Sequence, residues 1–265
     1  MRILDACNLF FCLSTIVIFA VSVAALTRSD VFLKTNYRGR KVFLAGFWVN
    51  SLAVIFGFLL LEAYKFRLLL AISMLISLIG LFDDLFGGSE KGLKGHLRAL
   101  LKRRITTGSV KLVGIGLMSV FTGYIFSTSL LDALLNAVLL AGTSNLFNLL
   151  DLRPGRSIKF ALIPVLVSVV FLSREQLQFA LLFFIFYLVY LPLDLREKAM
   201  LGDAGSNPLG FFVGAILVFI AKITIIKAFL VLIVVLLNLA SEKVSFTEVI
   251  EKNFILNFYD RIGRI

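Results

Sequence analysis

Nine runs of mostly apolar residues punctuate the chain, near 7–27, 43–62, 66–82, 108–127, 129–147, 157–173, 175–192, 207–221 and 223–240. A helix that crosses the hydrocarbon core of a bilayer needs about 20 such residues. The pattern therefore predicts an all-α, polytopic membrane protein with about nine transmembrane helices. The first run has a second reading as a signal peptide, because Val23-Ala24-Ala25 resembles a small-residue cleavage site. Arg2 and Asp5 lie together ahead of the run and the positive charge follows it, which favours a span. No internal repeat or low-complexity linker interrupts the pattern. One membrane domain over residues 1–240 and a tail over 241–265 is the simplest organisation.

Composition agrees with that reading. The chain has 265 residues, 60% of them hydrophobic, and a mean hydropathy of +0.99, well above that of a soluble domain. A formal net charge of +11 raises nucleic acid as a partner. The basic residues lie in short loops between apolar runs, however, where a topology signal and anionic membrane lipids account for them, and nucleic-acid binding is set aside. Cys7 and Cys12 both fall in the first run and offer no disulfide framework. A single histidine, His96, excludes a zinc cluster of the usual kind.

Loop charge predicts the orientation. With the N-terminus outside, twenty basic residues fall in the inner loops and tail and five in the outer ones, while Lys111 and Lys227 fall inside spans. That asymmetry predicts N-out and C-in. In the inner loop after Asp84, basic residues at 91, 94, 98 and 102 recur at helical spacing with leucines between them. They suit a helix lying in the inner interface, with a grip on a substrate phosphate as the alternative to a lipid-binding face.

Three polar stretches then share the inner side. Asp83 and Asp84 follow directly on an apolar run, with Gly87-Gly88 just beyond. Adjacent acids repel, and a divalent cation or a shared proton relieves this; the plain alternative is a water-facing helix end. Asn145, Asn148 and Asp151 sit at i, i+3 and i+6, near one helix face, and suit a sugar, a phosphate or a metal ligand, or else cap the helix. Arg153 and Arg156 add two guanidinium forks suited to phosphate, or serve only as topology signals. Asp203, flanked by Gly202, Gly205 and Gly210, opens a span where small residues let backbone amides approach a ligand, and it is the strongest candidate to hold a cation.

Gly80-Leu-Phe-Asp83-Asp84, Asn145-Leu-Phe-Asn148-Leu-Leu-Asp151 and Gly202-Asp203-Ala-Gly205-Ser206-Asn-Pro-Leu-Gly210, in that order, resemble the polyprenyl-phosphate N-acetylhexosamine-1-phosphate transferases, also called glycosyltransferase family 4. The resemblance covers roughly residues 30 to 220. It implies transfer of a sugar-1-phosphate from a UDP-sugar to undecaprenyl phosphate with release of UMP, in peptidoglycan or surface-polysaccharide synthesis at the bacterial plasma membrane. It further implies magnesium as cofactor, Asp203 as its ligand, and Asp83 and Asp84 as the pair that binds or deprotonates the lipid phosphate. Asn148 and Asp151 match polar residues of the same cleft, and Lys41, in the basic Tyr37–Lys41 loop, is a candidate donor contact. The partners implied are undecaprenyl phosphate, a nucleotide-sugar donor and membrane lipids, with a homodimer as an option.

Three departures from the family pattern stand out. Where the family continues Asp-Gly-x-Asp-Gly, this chain has Asp151-Leu-Arg-Pro154-Gly155, so proline replaces the aspartate that helps recognise uracil. The tail from Ser241 to Ile265 has no histidine, where the family has a histidine-rich donor motif. Nine runs stand against the family's usual ten spans. Two further readings follow. One is a non-catalytic member that binds polyprenyl phosphate or a wall-synthesis partner; the other, a small-solute transporter, is disfavoured because the polar residues lie at one interface and not at the midplane.

Overall fold

The computed structural model describes residues 30–87 and 106–264. The first apolar run and the basic stretch 91–102 lie outside the described residues. A single 3-10 turn, Asp30–Phe32, leads into β1 (Leu33–Thr35) and β2 (Lys41–Leu44). Then come α1 (Gly46–Leu60), α2 (Tyr64–Phe86), α3 (Thr107–Ile125), α4 (Leu130–Leu150), α5 (Arg156–Phe171) and α6 (Arg174–Leu195). After β3 (Ala199–Met200) follow α7 (Asp203–Ile220), α8 (Thr224–Ser241) and two short tail helices, α9 (Phe246–Lys252) and α10 (Phe254–Arg261). Each of the eight apolar runs inside the described residues has become a helix. Six of these, α2, α3, α4, α6, α7 and α8, are long and apolar enough to cross a membrane. The protein is a multi-pass membrane protein; among the described residues length and composition support six spans, where eight of the nine expected runs lie.

Local signals set the helix ends. Thr106 and Ser109 cap α3 reciprocally, as Ser173 and Gln176 cap α6, and each pair satisfies amides that the first helical turn leaves open. The three short strands are the feature that the all-α expectation lacks. β1 and β2 form an antiparallel hairpin in which Lys34 faces Val42, and β3 adds to β2 in parallel. Gly39, at φ +76°, turns the hairpin.

The bundle is built around α7. Its residues from Ala204 to Ile216 are all buried, and it packs chiefly on α4 and α2, with α5 and α1 closing around it. Close approach is possible only because glycine stands at the crossings. A Cβ on Gly46 would lie 2.0 Å from the Leu201 carbonyl oxygen, and one on Gly80 2.4 Å from that of Asp203. On α7 itself, a Cβ on Gly210 would meet the Thr143 carbonyl oxygen at 2.4 Å. Small residues at helix crossings allow this backbone-to-backbone packing in membranes.

Buried polar groups complete the contact. Pro208 has no N–H to give the Ala204 carbonyl four residues back. The Ser77 hydroxyl, from α2, donates to that carbonyl instead, at 2.6 Å. On the α4 side, the Ser144 hydroxyl donates to the Asn207 carbonyl at 2.9 Å. Phe183 and Phe212 stack with centroids 4.3 Å apart and join α6 to the far half of α7.

Adding a methyl at the α2–α7 crossing must force the backbones apart. Gly80→Ala is expected to destabilise the protein by ~1–3 kcal/mol, as overpacking commonly does. Gly116→Ala is the control, since nothing lies within 4 Å of that site. Thermal melting in detergent checks both, and a Gly80→Ala protein that melts with the parent would refute the crossing described above.

Candidate active site

Three carboxylates meet where α2 ends and α7 begins. Asp83 and Asp84 occupy the last turn of α2, and Asp203 is the first residue of α7. Their meeting follows from the crossing at Gly80, which brings the last turn of α2 against the backbone of Asp203 and Ala204. Gly202, at φ +62°, turns the chain into α7, and a Cβ there would stand 2.7 Å from Asp84 Oδ2. Only glycine satisfies both the dihedral and the space.

Each carboxylate has a different environment. Asp84 is closed in: its side chain is 0% exposed, Lys34 Nζ donates to Oδ1 at 2.8 Å, and the Ala204 amide donates to Oδ2 at 3.0 Å. The amide belongs to the N-terminal turn of α7, where backbone donors and the helix dipole favour an anion. Asp83 and Asp203 face each other across Lys111, the fifth residue of α3. Its ammonium lies 2.6 Å from Asp83 Oδ2 and also pairs with Asp203 Oδ2. Burial alone would lower the pKa of Lys34, but Asp84, with Asp203 and Asp83 beyond it, outweighs burial and raises it. Lys34 therefore stays charged at neutral pH.

Of the remaining residues expected from the sequence, two lie close to this cluster. Asn148 accepts from the Ser206 hydroxyl at 3.0 Å, which ties the end of α4 to the first turn of α7. Asp151 caps the same end of α4 and accepts from the Ser157 hydroxyl at 2.8 Å. Burial, then the nearby Asp194 carboxylate, raises the Asp151 pKa well above the ordinary carboxylate range, with Asp203 and Asp84 adding to the effect. Asn145 is bound to α8, donating to Asn238 Oδ1 at 2.6 Å. Lys41 stands exposed at the start of β2, opposite Thr35.

The two arginines are placed differently. The Arg153 guanidinium lies 4.4 Å from the Tyr37 ring centroid and 3.6 Å from Glu251 Oε1. Arg156 is fully buried and bonded to Asp260 and Thr247 in the tail. Beside the Asp151–Gly155 turn, a cavity of about 50 Å³ is lined by Tyr37, Asp151, Arg153, Asp194 and Glu197.

Lys111, Lys34 and Asp194 are the residues that sequence reasoning missed. Lys111 did carry a signal, since a lone lysine just inside an apolar run needs a partner. Lys34 was indistinguishable from the other cations of its loop. Asp194 accepts from the Gly155 amide at 2.8 Å and so helps shape the turn.

The donor set suits a hard divalent cation. Magnesium takes one or two carboxylates and leaves the rest of its shell to water and substrate phosphates. Asp83 and Asp203 supply two oxygens facing one cation position at a partly open edge, now bridged by an ammonium. Among the described residues no trio of acidic, histidine or cysteine side chains gathers tightly enough to hold a metal alone.

A carboxyl with a raised pKa binds its proton more tightly in the folded state, so the ionised form destabilises the fold as pH rises above the unfolded value of 3.8. Asp151→Asn, uncharged throughout, is expected to melt ~2–5 °C above the parent at pH 7 and level with it below pH 4. A variant that melts lower at pH 7 would show instead a charged, stabilising carboxylate.

The family model described as Glycosyl transferase family 4 matches residues 66–222, which spans Asp83 to Asp203 and most of the helices around them. Among curated proteins, none matches the chain.

Proposed function

Because the chain belongs to glycosyl transferase family 4, whose members transfer a sugar phosphate to a polyprenyl phosphate, we propose that it is a magnesium-dependent phosphoglycosyltransferase. In this reading it moves a sugar-1-phosphate from a UDP-linked sugar to undecaprenyl phosphate at the cytoplasmic face of a bacterial plasma membrane, in wall or surface-polysaccharide synthesis. The observation that carries the reading is the meeting of Asp83, Asp84 and Asp203 with Lys111 and Lys34 at one end of the bundle.

The roles follow from the contacts. Asp203 and Asp83 would hold the cation, which when bound would offset the charge of the donor's pyrophosphate and of the leaving UMP. Lys111, reaching between them, presents a second positive charge to the same oxygens. Asp84 is saturated by Lys34 and by the Ala204 amide, so its part is to orient Lys34. Lys34, 44% exposed at its side chain, faces the lipid phosphate and holds it in line for attack on phosphorus. Asn148, fixed by Ser206, and Asp151 and Arg153 on the following turn contact the donor. Arg156 stays with the tail.

A non-catalytic polyprenyl-phosphate-binding member is the second reading. In its favour, the Lys111 ammonium already bridges the two carboxylates and offsets one of their two charges.

Release of nucleotide from a panel of UDP-sugars by the purified protein, with undecaprenyl phosphate and magnesium, tests the two. Transfer is expected, and Asp203→Asn is expected to lower its rate about 100-fold or more, the order of loss on removing one electrostatic group from such a site. Silence across the panel with undecaprenyl phosphate still bound would favour the binding protein.

A further inference from the structure

The Asp151–Gly155 turn is gripped from outside by the tail. At the start of α5, Arg156 Nε and Nη2 donate to the two oxygens of Asp260, each at 2.9 Å. Its third nitrogen, Nη1, donates to the Thr247 hydroxyl at 2.9 Å. Arg264 approaches from the other side, with Nη2 2.8 Å from Asp260 Oδ1 and 3.1 Å from the Pro154 carbonyl oxygen. Lys159 donates to the carbonyls of Asp260 and Ile262, and the Tyr259 hydroxyl donates to the Lys159 carbonyl at 2.5 Å. One buried carboxylate thus joins two guanidiniums, one from each end of the grip. Burial works against its charge, but hydrogen bonds from Arg156 and Arg264 hold its pKa below the ordinary range. The grip is therefore intact throughout neutral pH.

Stability alone does not call for such a site, since apolar side chains of similar volume commonly replace a buried ion pair without loss. A bidentate fork supplies direction: it fixes the plane of Arg156, the first residue of α5, while Arg264 fixes the Pro154 carbonyl. These two points bracket Gly155, whose amide is bound to Asp194 and whose φ is +71°. The turn has little freedom left, and it carries Asp151 and Arg153.

We propose that Asp260 is a positioning residue for the donor half of the site, holding the Asp151–Gly155 turn, through Arg156 and Arg264, in the one shape that presents Asp151 and Arg153. The proposal rests on the reading of that turn as a donor contact. It gives the tail a share in donor recognition without any tail residue touching the donor.

The test uses the full chain in nanodiscs, with Asp260→Asn and the apolar pair Arg156→Met/Asp260→Leu. Hydrogen–deuterium exchange is followed at 151–155 and, as a reference, at 81–86 and 203–206. Donor and undecaprenyl-phosphate KM are measured alongside. In Asp260→Asn, exchange at 151–155 is expected to quicken about tenfold or more while the reference segments stay unchanged, as befits loss of one charge-assisted contact set. Donor KM should rise by a similar factor, with undecaprenyl-phosphate KM within about twofold of the parent. In the apolar pair, the melting temperature should recover but the donor KM should not. Unchanged exchange at the turn, both KM values moving together, or donor KM recovering along with melting temperature would each overturn the proposal. If the parent transfers nothing from any donor, it is the transfer reading that fails, and exchange at the turn still decides whether Asp260 holds it.

Discussion

The structure depends on how closely the first turn of α7 can be approached. Gly46, Gly80 and Gly205 allow the backbones of α1, α2 and α7 to touch, and Ser77 supplies the hydrogen bond that Pro208 withholds from Ala204. In a membrane there is no hydrophobic gain from bringing two apolar helices together, so such dispersion contacts and interhelical hydrogen bonds have to hold the bundle. The same contact sets the chemistry. With α2 one side chain further out, the Ala204 amide could not reach Asp84, and Asp83 and Asp203 could not share one cation.

Three carboxylates at such short range are tolerable only with compensating charge. Two lysines provide it from opposite sides, Lys34 from the hairpin and Lys111 from α3. This explains a short sheet in an otherwise helical protein. β1 presents Lys34, and β2 and β3 join it to the chain that leads into Gly202 and α7. Glu197, at φ +54° between α6 and β3, binds Asn36, Tyr37 and Arg38 and so closes the hairpin tip onto the same framework.

Much of this was legible along the chain because it is local. Apolar run length located the helices within a few residues, and three motifs named the acids that meet at the site. The missing parts are pairings between residues far apart in sequence. Lys111 and Arg156 show why. Both were read by position, as a charge inside a span and a charge in an inner loop, and position tells that a cation needs a partner but not which one. Asp203 lies 92 residues from Lys111 and Asp260 lies 104 from Arg156. The strands were illegible for a simpler reason: two to four residues in a basic loop carry too little alternation to separate a strand from a turn. The nine-span expectation counts every apolar run alike, whereas α1 has 15 residues and α5 has 16, with Pro164 in its middle.

The two halves of the candidate site are held by different physics, and this bears on where the sequence departs from its family. The half around Asp83, Asp84 and Asp203 is held by backbone contacts in the centre of the bundle, where one added methyl disturbs three helices. The half around Asp151 and Arg153 lies on a turn held by side-chain hydrogen bonds, from Asp194, Arg156, Arg264 and Asp260, with solvent or tail behind it. Pro154 is accommodated there because its amide is not needed, while its carbonyl is taken by Arg264. A turn of this kind can be rewritten together with the tail that grips it at little cost to the core. The Asp151–Gly155 turn and the tail helices are therefore two ends of one mechanical unit, joined through Arg156, Asp260 and Arg264.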